Sequence, residues 1–255
     1  MILRRLGNKQ AIAQKIQAYF PPHKIYIEPF FGAGGMFFNK PKAKYNIVND
    51  LDSDVFNLFQ VVMNQKQELE KAFYLMPIHS DLLEYWNKHE ETEPIRKALR
   101  FLFLSNFTLL GVGSNLRYIT SDTELNILNN LEQTQKILFG VKFNNTDYRK
   151  FINSISFRGR DLDKSYALIY NDPPYLNTND NYSHSFTETD SNDLFNVLDE
   201  TGCKYAMSEF DHPFILQQAK ERGLNVHIIG ERQNLKNRRI EILVTNYKPM
   251  PSLFD

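Results

Sequence analysis

Short apolar runs alternating with amphipathic stretches from residue 139 onward constrain the fold more than any other feature of this chain. FGVKFNN, YALIYNDPPY, KYAMSEF, NVHIIGE and IEILVTNY have the length and the β-branched or aromatic content of strands, whereas DYRKFINSI, DLFNVLDET and PFILQQAKE have helical periodicity. Strands linked through helices run parallel, and a continuous apolar run such as YALIY needs cover on both faces. The expectation is an α/β fold with a mostly parallel sheet and helices on both faces. The amino-terminal part fits the same scheme. QAIAQKIQAYF places Ile12, Ile16 and Tyr19 on one helical face and is stopped by Pro21 and Pro22, and KIYIEPF and YNIVND read as two further strands. From about Ser53 to Leu138 the pattern is helical throughout: VFNLFQVVMNQKQELEKAF, then Ser80 as an N-cap for DLLEYWNKH, then Pro94 opening IRKALRFLFLSNF. This predicts a sheet domain built from residues 1–52 and 139–255, interrupted by a helical insertion over 53–138.

The chain has 255 residues, 42% of them hydrophobic, which is ample for one large α/β domain with an insertion. A single cysteine, Cys203, rules out a disulfide framework and an all-cysteine metal cage, and points to a reducing compartment. No run of about eighteen apolar residues occurs, and MILRRLGNKQ lacks the apolar stretch of a signal peptide, so a soluble protein with no membrane partner is expected. The histidines at 23, 79, 89, 184, 212 and 227 have no zinc-site spacing, and no metal is expected. Basic and acidic residues balance at 30 each but are unevenly placed: Met1 to Ile27 contains Arg4, Arg5, Lys9, Lys15 and Lys24 and no acidic residue.

Three features at predicted strand ends could carry chemistry. The glycine cluster of EPFFGAGG, residues 28–35, permits a tight strand-to-helix turn and lets a ligand approach the backbone; an ordinary turn would use the same residues, and the full G-x-G-x-x-G dinucleotide spacing is missing. Asp50 follows Gly32 by eighteen residues, an offset at which a carboxylate can accept both hydroxyl protons of a ribose, although alone it reads equally well as a helix cap. NDPPY, residues 171–175, is the sharpest signal. Pro173 and Pro174 have no N–H to donate, Asp172 projects an acceptor-only carboxylate, and Tyr175 adds a flat ring, a set suited to a planar substrate with an exocyclic amino group. The polar stretch over residues 176–190 that follows is a candidate lid.

EPFFGAGG, the VND that ends at Asp50, NTDY at 145–148, NDPPY and EILVTNY, in this order along nearly the whole chain, resemble the motifs of the Dam-like, adenine-N6 specific DNA methyltransferases of the alpha group. The resemblance implies a Rossmann-like S-adenosylmethionine methyltransferase fold with target recognition in the helical insertion. It implies methyl transfer from S-adenosylmethionine to the N6 of an adenine flipped out of a specific double-stranded DNA sequence. Phe31, Gly32 and Gly34 would line the methionine portion of the cofactor with Glu28 near its amino group, Asp50 would hold the ribose, and Asp147 and Tyr148 would flank its adenine. Lys9 matches the lysine of the family's amino-terminal motif, near cofactor and target base. The chain departs from the pattern at Arg5, a cofactor-contact position where an aromatic residue is usual, and at Asn8 in place of a second glycine; the charge of Arg5 suits the phosphate backbone equally, as does that of Arg4. Asp172 and the Pro173 carbonyl would accept the N6 hydrogens beside the cofactor, and Tyr175 would receive the base.

For the DNA itself, the family places a contacting loop at RQNLKNRR, which holds Arg232, Lys236, Arg238 and Arg239; a solvated hairpin is the plain reading of such a run. SNFTLLGVGSNLRY offers Asn106, Thr108, Asn115 and Arg117 as groups able to read base edges. A bacterial or phage protein acting in the cytoplasm at the nucleoid is implied, with a companion restriction endonuclease as a further candidate partner. The rival readings are an RNA adenine-N6 methyltransferase and a catalytically silent DNA-binding protein of the same fold, with a nicotinamide oxidoreductase a distant third.

Overall fold

A computed structural model describes residues 2–4, 7–111, 113–117, 122–157, 163–176, 186–233 and 238–249. The first elements are helix α1 (Ala13–Gln17) and strands β1 (Ile25–Glu28) and β2 (Tyr45–Asn49). A helical stretch follows, with α2 (Ser53–Asn64), α3 (Lys66–Tyr74), α4 (Ser80–Lys88), α5 (Pro94–Phe107) and α6 (Thr123–Leu138). Strand and helix then alternate through β3 (Lys142–Asn144), α7 (Tyr148–Ser154), β4 (Ala167–Asn171), α8 (Glu188–Thr201), β5 (Lys204–Phe210) and α9 (Pro213–Glu221). The antiparallel pair β6 (Asn225–Gln233) and β7 (Arg238–Thr245) closes the chain.

The strands form one seven-stranded sheet in the order β3-β2-β1-β4-β5-β7-β6. Pairings among β1 to β5 are parallel, and β7 runs antiparallel to both β5 and β6. Six strands therefore point one way and β7 alone is reversed, which is the mostly parallel Rossmann-like sheet expected. Period-two alternation sends side chains to two separate cores. Tyr26, Val48, Leu168, Tyr170, Ala206 and Leu243 share one buried cluster with residues of α1 to α6, while Ile25, Ile27, Ile169, Tyr205, Met207 and Val244 share the other with α7, α8 and α9. The helices between 53 and 138 thus pack as a continuation of one sheet face.

Local boundaries differ from the sequence reading in instructive ways. The single helical run over VFNLFQVVMNQKQELEKAF is two helices, broken at Gln65, whose φ of −138° and ψ of 37° are not helical. His79, rather than Ser80, caps α4: its ring nitrogen accepts the amides of Asp81 and Leu82. Pro94 does open α5, with the Glu93 carboxylate accepting the amides of Ile95 and Arg96. Among the described residues no helix is long and apolar enough to cross a membrane.

Candidate active site

Ligands of open α/β sheets bind outside the carboxyl ends of the strands where the order reverses, here between β1 and β4. A cavity of about 510 Å³ opens at that place. Its walls include Lys9, Glu28, Phe30, Phe31, Gly32, Asp50, Asp147, Tyr148, Asp172 and Pro174, so residues spread over the whole sequence meet in one space.

The glycine turn and the tip of β2 are joined by one carboxylate. Asp50 accepts the Gly32 amide at 2.6 Å through one oxygen and the Asp52 amide at 2.9 Å through the other. Gly32 has a φ of +54°, which a side chain would strain. Gly35 has a different reason to be glycine: a Cβ there would lie 1.8 Å from Asn8 Oδ1 and 2.8 Å from the Lys9 amide nitrogen. The amino-terminal segment therefore lies directly against the turn. Phe31, Gly32, Ala33 and Gly35 line the cavity. Gly34, expected to do so, is absent from its wall and faces the rings of Phe38 and Phe31.

Farther along, Asp147 caps α7 by accepting the Arg149 amide at 2.9 Å. The Tyr148 hydroxyl donates to the Asp190 carbonyl at 2.7 Å, and its ring meets Phe30 and Phe186 with centroids 5.3 and 6.1 Å away. Phe30, Phe186 and Arg149 complete this aromatic wall, Arg149 pairing with Asp190 at 2.7 Å and Asp193 at 2.8 Å. These three were not singled out from the sequence. Phe30 lies inside the glycine motif and Arg149 directly follows NTDY, but nothing local marks either as a wall residue.

At the end of β4, Asp172 and Pro174 reach the cavity while Pro173 and Tyr175 turn inward. Lys9 Nζ pairs with Asp172 Oδ1 at 2.7 Å. Pro173 is buried, and Tyr175 is buried with its hydroxyl donating to Glu241 Oε1 at 2.9 Å and its ring edge-on to Phe210. Tyr175 thus braces the turn from beneath and does not line the cavity. Glu28 is also buried and accepts the Tyr26 hydroxyl at 2.8 Å; burial pushes its carboxyl well above the usual range. Glu209, under the same turn, is pushed up to about 8, again by burial.

The residues expected to face DNA divide. Asn106 is buried and donates to the carbonyls of Ile2 and Leu102, and Thr108 is buried between the Leu104 carbonyl and the Gly113 amide. Both hold the turn together and are closed to base edges. Asn115 and Arg117, on the outer side of that turn, are exposed, as is Arg4. The β6–β7 pairing sets Arg232 opposite Arg239 and Gln233 opposite Arg238, at the same sheet end as the cavity. The Arg239 guanidinium stacks 5.2 Å from the centre of the Phe210 ring. Arg5, Lys236 and most of the candidate lid lie outside the described residues. Among the described residues, no three His, Cys, Asp or Glu side chains gather as a metal site.

The chain is similar to known methyltransferases along most of its length. The chain is 26% identical to the type II methyltransferase M1.LlaDCHI of Lactococcus lactis subsp. cremoris, over 94% of this chain and 93% of that one. It is 24% identical to the DNA adenine methylase of Escherichia coli K12, over 97% and 95%. Among solved structures, a dimethyladenosine transferase from Plasmodium falciparum superposes with a TM-score of 0.42 at 10% identity, over 98% of this chain and 64% of that one. The model of one family matches residues 6–241, nearly the whole length. This chain belongs to the D12 class N6 adenine-specific DNA methyltransferases.

Proposed function

We infer that the protein transfers a methyl group from S-adenosylmethionine to the exocyclic N6 of an adenine flipped out of a specific double-stranded DNA sequence. The observation that supports this most directly is the position of Asp172. An acceptor-only carboxylate at the tip of a buried strand shares one cavity with the glycine turn and with Asp50.

The residues present fit the cofactor. Asp50, fixed by two amides, lines the cavity and would accept the ribose hydroxyls; Phe30, Tyr148 and Phe186 would offer ring faces to the adenine; Glu28 would meet the methionine end. Bound there, S-adenosylmethionine supplies an electrophilic methyl carbon on a cationic sulfur that departs as a neutral thioether. The chain's own contribution is orientation and electrostatics. The lone pair of an adenine amino nitrogen is delocalised into the ring. Accepting its hydrogens at Asp172 and at the Pro173 carbonyl localises the pair toward the methyl carbon. When the new C–N bond forms, the nitrogen becomes cationic, and Asp172 holds the proton it sheds until water takes it.

A stacked base cannot reach such a cavity, so the target must leave the duplex. The β6–β7 hairpin with Arg232, Arg238 and Arg239, and Arg4 on the amino-terminal segment, supply phosphate contacts beside the cavity. The helical segment over residues 53–138 carries target recognition, with Asn115 and Arg117 as exposed base readers. A companion restriction endonuclease is part of this reading, supported by the likeness to a type II methyltransferase.

Incubation of the purified protein with labelled S-adenosylmethionine and either DNA duplexes or structured RNA, together with modified-base sequencing of DNA from an expressing host, tests the reading. N6-methyladenine at one recurring DNA sequence is expected. Label in RNA alone, or cognate duplex bound tightly with no transfer, overturns it. Asp172→Asn should lower kcat by about 10²-fold or more while the cofactor dissociation constant changes by less than about threefold.

A further inference from the structure

One wall of the cavity is assembled from two distant places in the chain. Asp147, Tyr148 and Arg149 come from the start of α7, and Phe186 and Asp190 from the start of α8. Apolar packing joins the bodies of the two helices: Phe151 and Ile152 of α7 share a buried cluster with Leu194, Phe195 and Leu198 of α8. At the cavity end the join is polar and runs through one side chain. Arg149 donates from Nη2 to Asp190 Oδ1 at 2.7 Å, from Nε and Nη2 to Asp193 Oδ2 at 3.0 and 2.8 Å, and from Nη1 to Asp147 Oδ2 at 3.3 Å. Its guanidinium carbon lies 4.4 Å from the centre of the Tyr148 ring.

Asp190 passes this restraint on. Its other oxygen accepts the Thr187 amide at 2.9 Å and the Thr187 hydroxyl at 2.7 Å, the capping box that fixes where the chain enters α8. Phe186 is the residue before that cap, and its ring centroid lies 6.1 Å from those of both Tyr148 and Phe30. A continuous chain of hydrogen bonds thus runs from Asp147 through Arg149 and Asp190 to Thr187, next to the Phe186 ring. Arg149, Asp190 and Asp193 are half-buried, and ion pairs with that access to solvent add little to fold stability. What three carboxylates on one planar fork do fix is geometry. Resting on the cofactor placement above, we propose that Arg149 is a positioning residue that holds the Tyr148 and Phe186 rings together as one surface for the adenine of S-adenosylmethionine.

Calorimetry with S-adenosylhomocysteine and with 5′-methylthioadenosine, which keeps the adenosine and lacks the amino-acid end, locates the effect. Arg149→Gln should raise both dissociation constants about tenfold, raise KM for S-adenosylmethionine to the same extent and lower kcat less than about threefold. Its melting temperature should fall by less than about 3 °C. Arg149→Lys keeps the charge without the fork and should still bind both compounds at least about threefold more weakly than the wild type. Asp190→Asn sets an amide where Arg149 and Thr187 both need an acceptor, and should weaken both compounds as well. Added to Arg149→Gln it should cost less than about twofold more, because the two residues act in series. If denaturation shows that Arg149→Gln does not fold, Arg149→Lys and Asp190→Asn carry the binding test with the losses just given. Unchanged dissociation constants in a folded variant, a loss confined to S-adenosylhomocysteine, or additive losses in the double variant overturn the proposal. A wild-type protein that binds neither compound overturns the cofactor placement with it. Methyl transfer to RNA in place of DNA changes the substrate reading alone, and the same dissociation constants still decide the role of Arg149.

Discussion

Asp50 shows how one side chain can be both architecture and binding surface. Its two oxygens tie the glycine turn to the start of α2, and its exposed edge forms part of the cavity wall. Asp50→Ala should therefore weaken S-adenosylmethionine binding by about tenfold and also lower the melting temperature, because two amides lose their acceptor. Titration of the cofactor into both proteins, with melting curves alongside, separates the two effects. Glu28 offers a pH signature. Burial pushes its carboxyl well above the usual carboxylate range, and Tyr26, Asp172, Lys40 and Asp50 are the ionisable groups acting on it. An ammonium brought against Glu28 favours its charged form, so binding should release a proton and tighten as pH rises toward the raised range of this carboxyl. Calorimetry in two buffers of different ionisation enthalpy measures that proton, and Glu28→Gln should abolish it.

At the scale of elements, the amino-terminal segment matters because of what it delivers. Asn8 Oδ1 accepts the Gln10 amide and caps the short turn Lys9–Ala11, which sets the start of the Lys9 side chain against Gly35. A methyl group at Gly35 would meet both Asn8 and the Lys9 backbone, and the backbone cannot give way without carrying Lys9 away from Asp172. Gly35→Ala should cost about 1–3 kcal/mol and lower kcat, measured by denaturant titration and steady-state methylation. The reversed strand β7 has comparable leverage. By running antiparallel to β5 it sets Glu241 opposite Phe210, beside Tyr175, while its first residues carry Arg238 and Arg239 toward the hairpin.

Over the whole molecule, the sheet separates two apolar cores, and Glu28, Asp50, Asp172 and Glu209 lie at or near the carboxyl ends of its strands, so stability and site chemistry meet there. Glu209 accepts the Phe210 amide and lies beneath the Asp172 turn, raised from 4.5 to about 8. The folded state holds a proton there that the unfolded chain releases above about 4.5. The associated stability is complete below that pH and is lost as pH climbs to about 8. Glu209→Gln keeps an acceptor and removes the titration, so its melting temperature at pH 8.5 should exceed that of the wild type by ~5 °C, with a much smaller gap at pH 4.5. Thermal scans at the two pH values check this.

Alternating apolar runs, the glycine turn, Asp50 and the Asp-Pro-Pro-Tyr turn were legible in the amino-acid order because each depends on local chemistry: strand period, positive φ, missing N–H donors. That was enough to predict the sheet, the helical character of residues 53–138 and the presence of Lys9, Glu28, Phe31, Gly32, Asp50, Asp147, Tyr148 and Asp172 in one place. Directions and partners were not legible. Asn106 and Asn115 are the same residue type nine positions apart, yet one holds the Ile2 carbonyl and the other faces outward. Tyr175 turns under the site, and Glu241 joins Lys9 across more than two hundred residues of chain. Only the folded sheet, through the register of β7 and the close passage over Gly35, decides which buried charges meet, because Coulombic and hydrogen-bonding partners are chosen by distance in space and no local pattern encodes that distance.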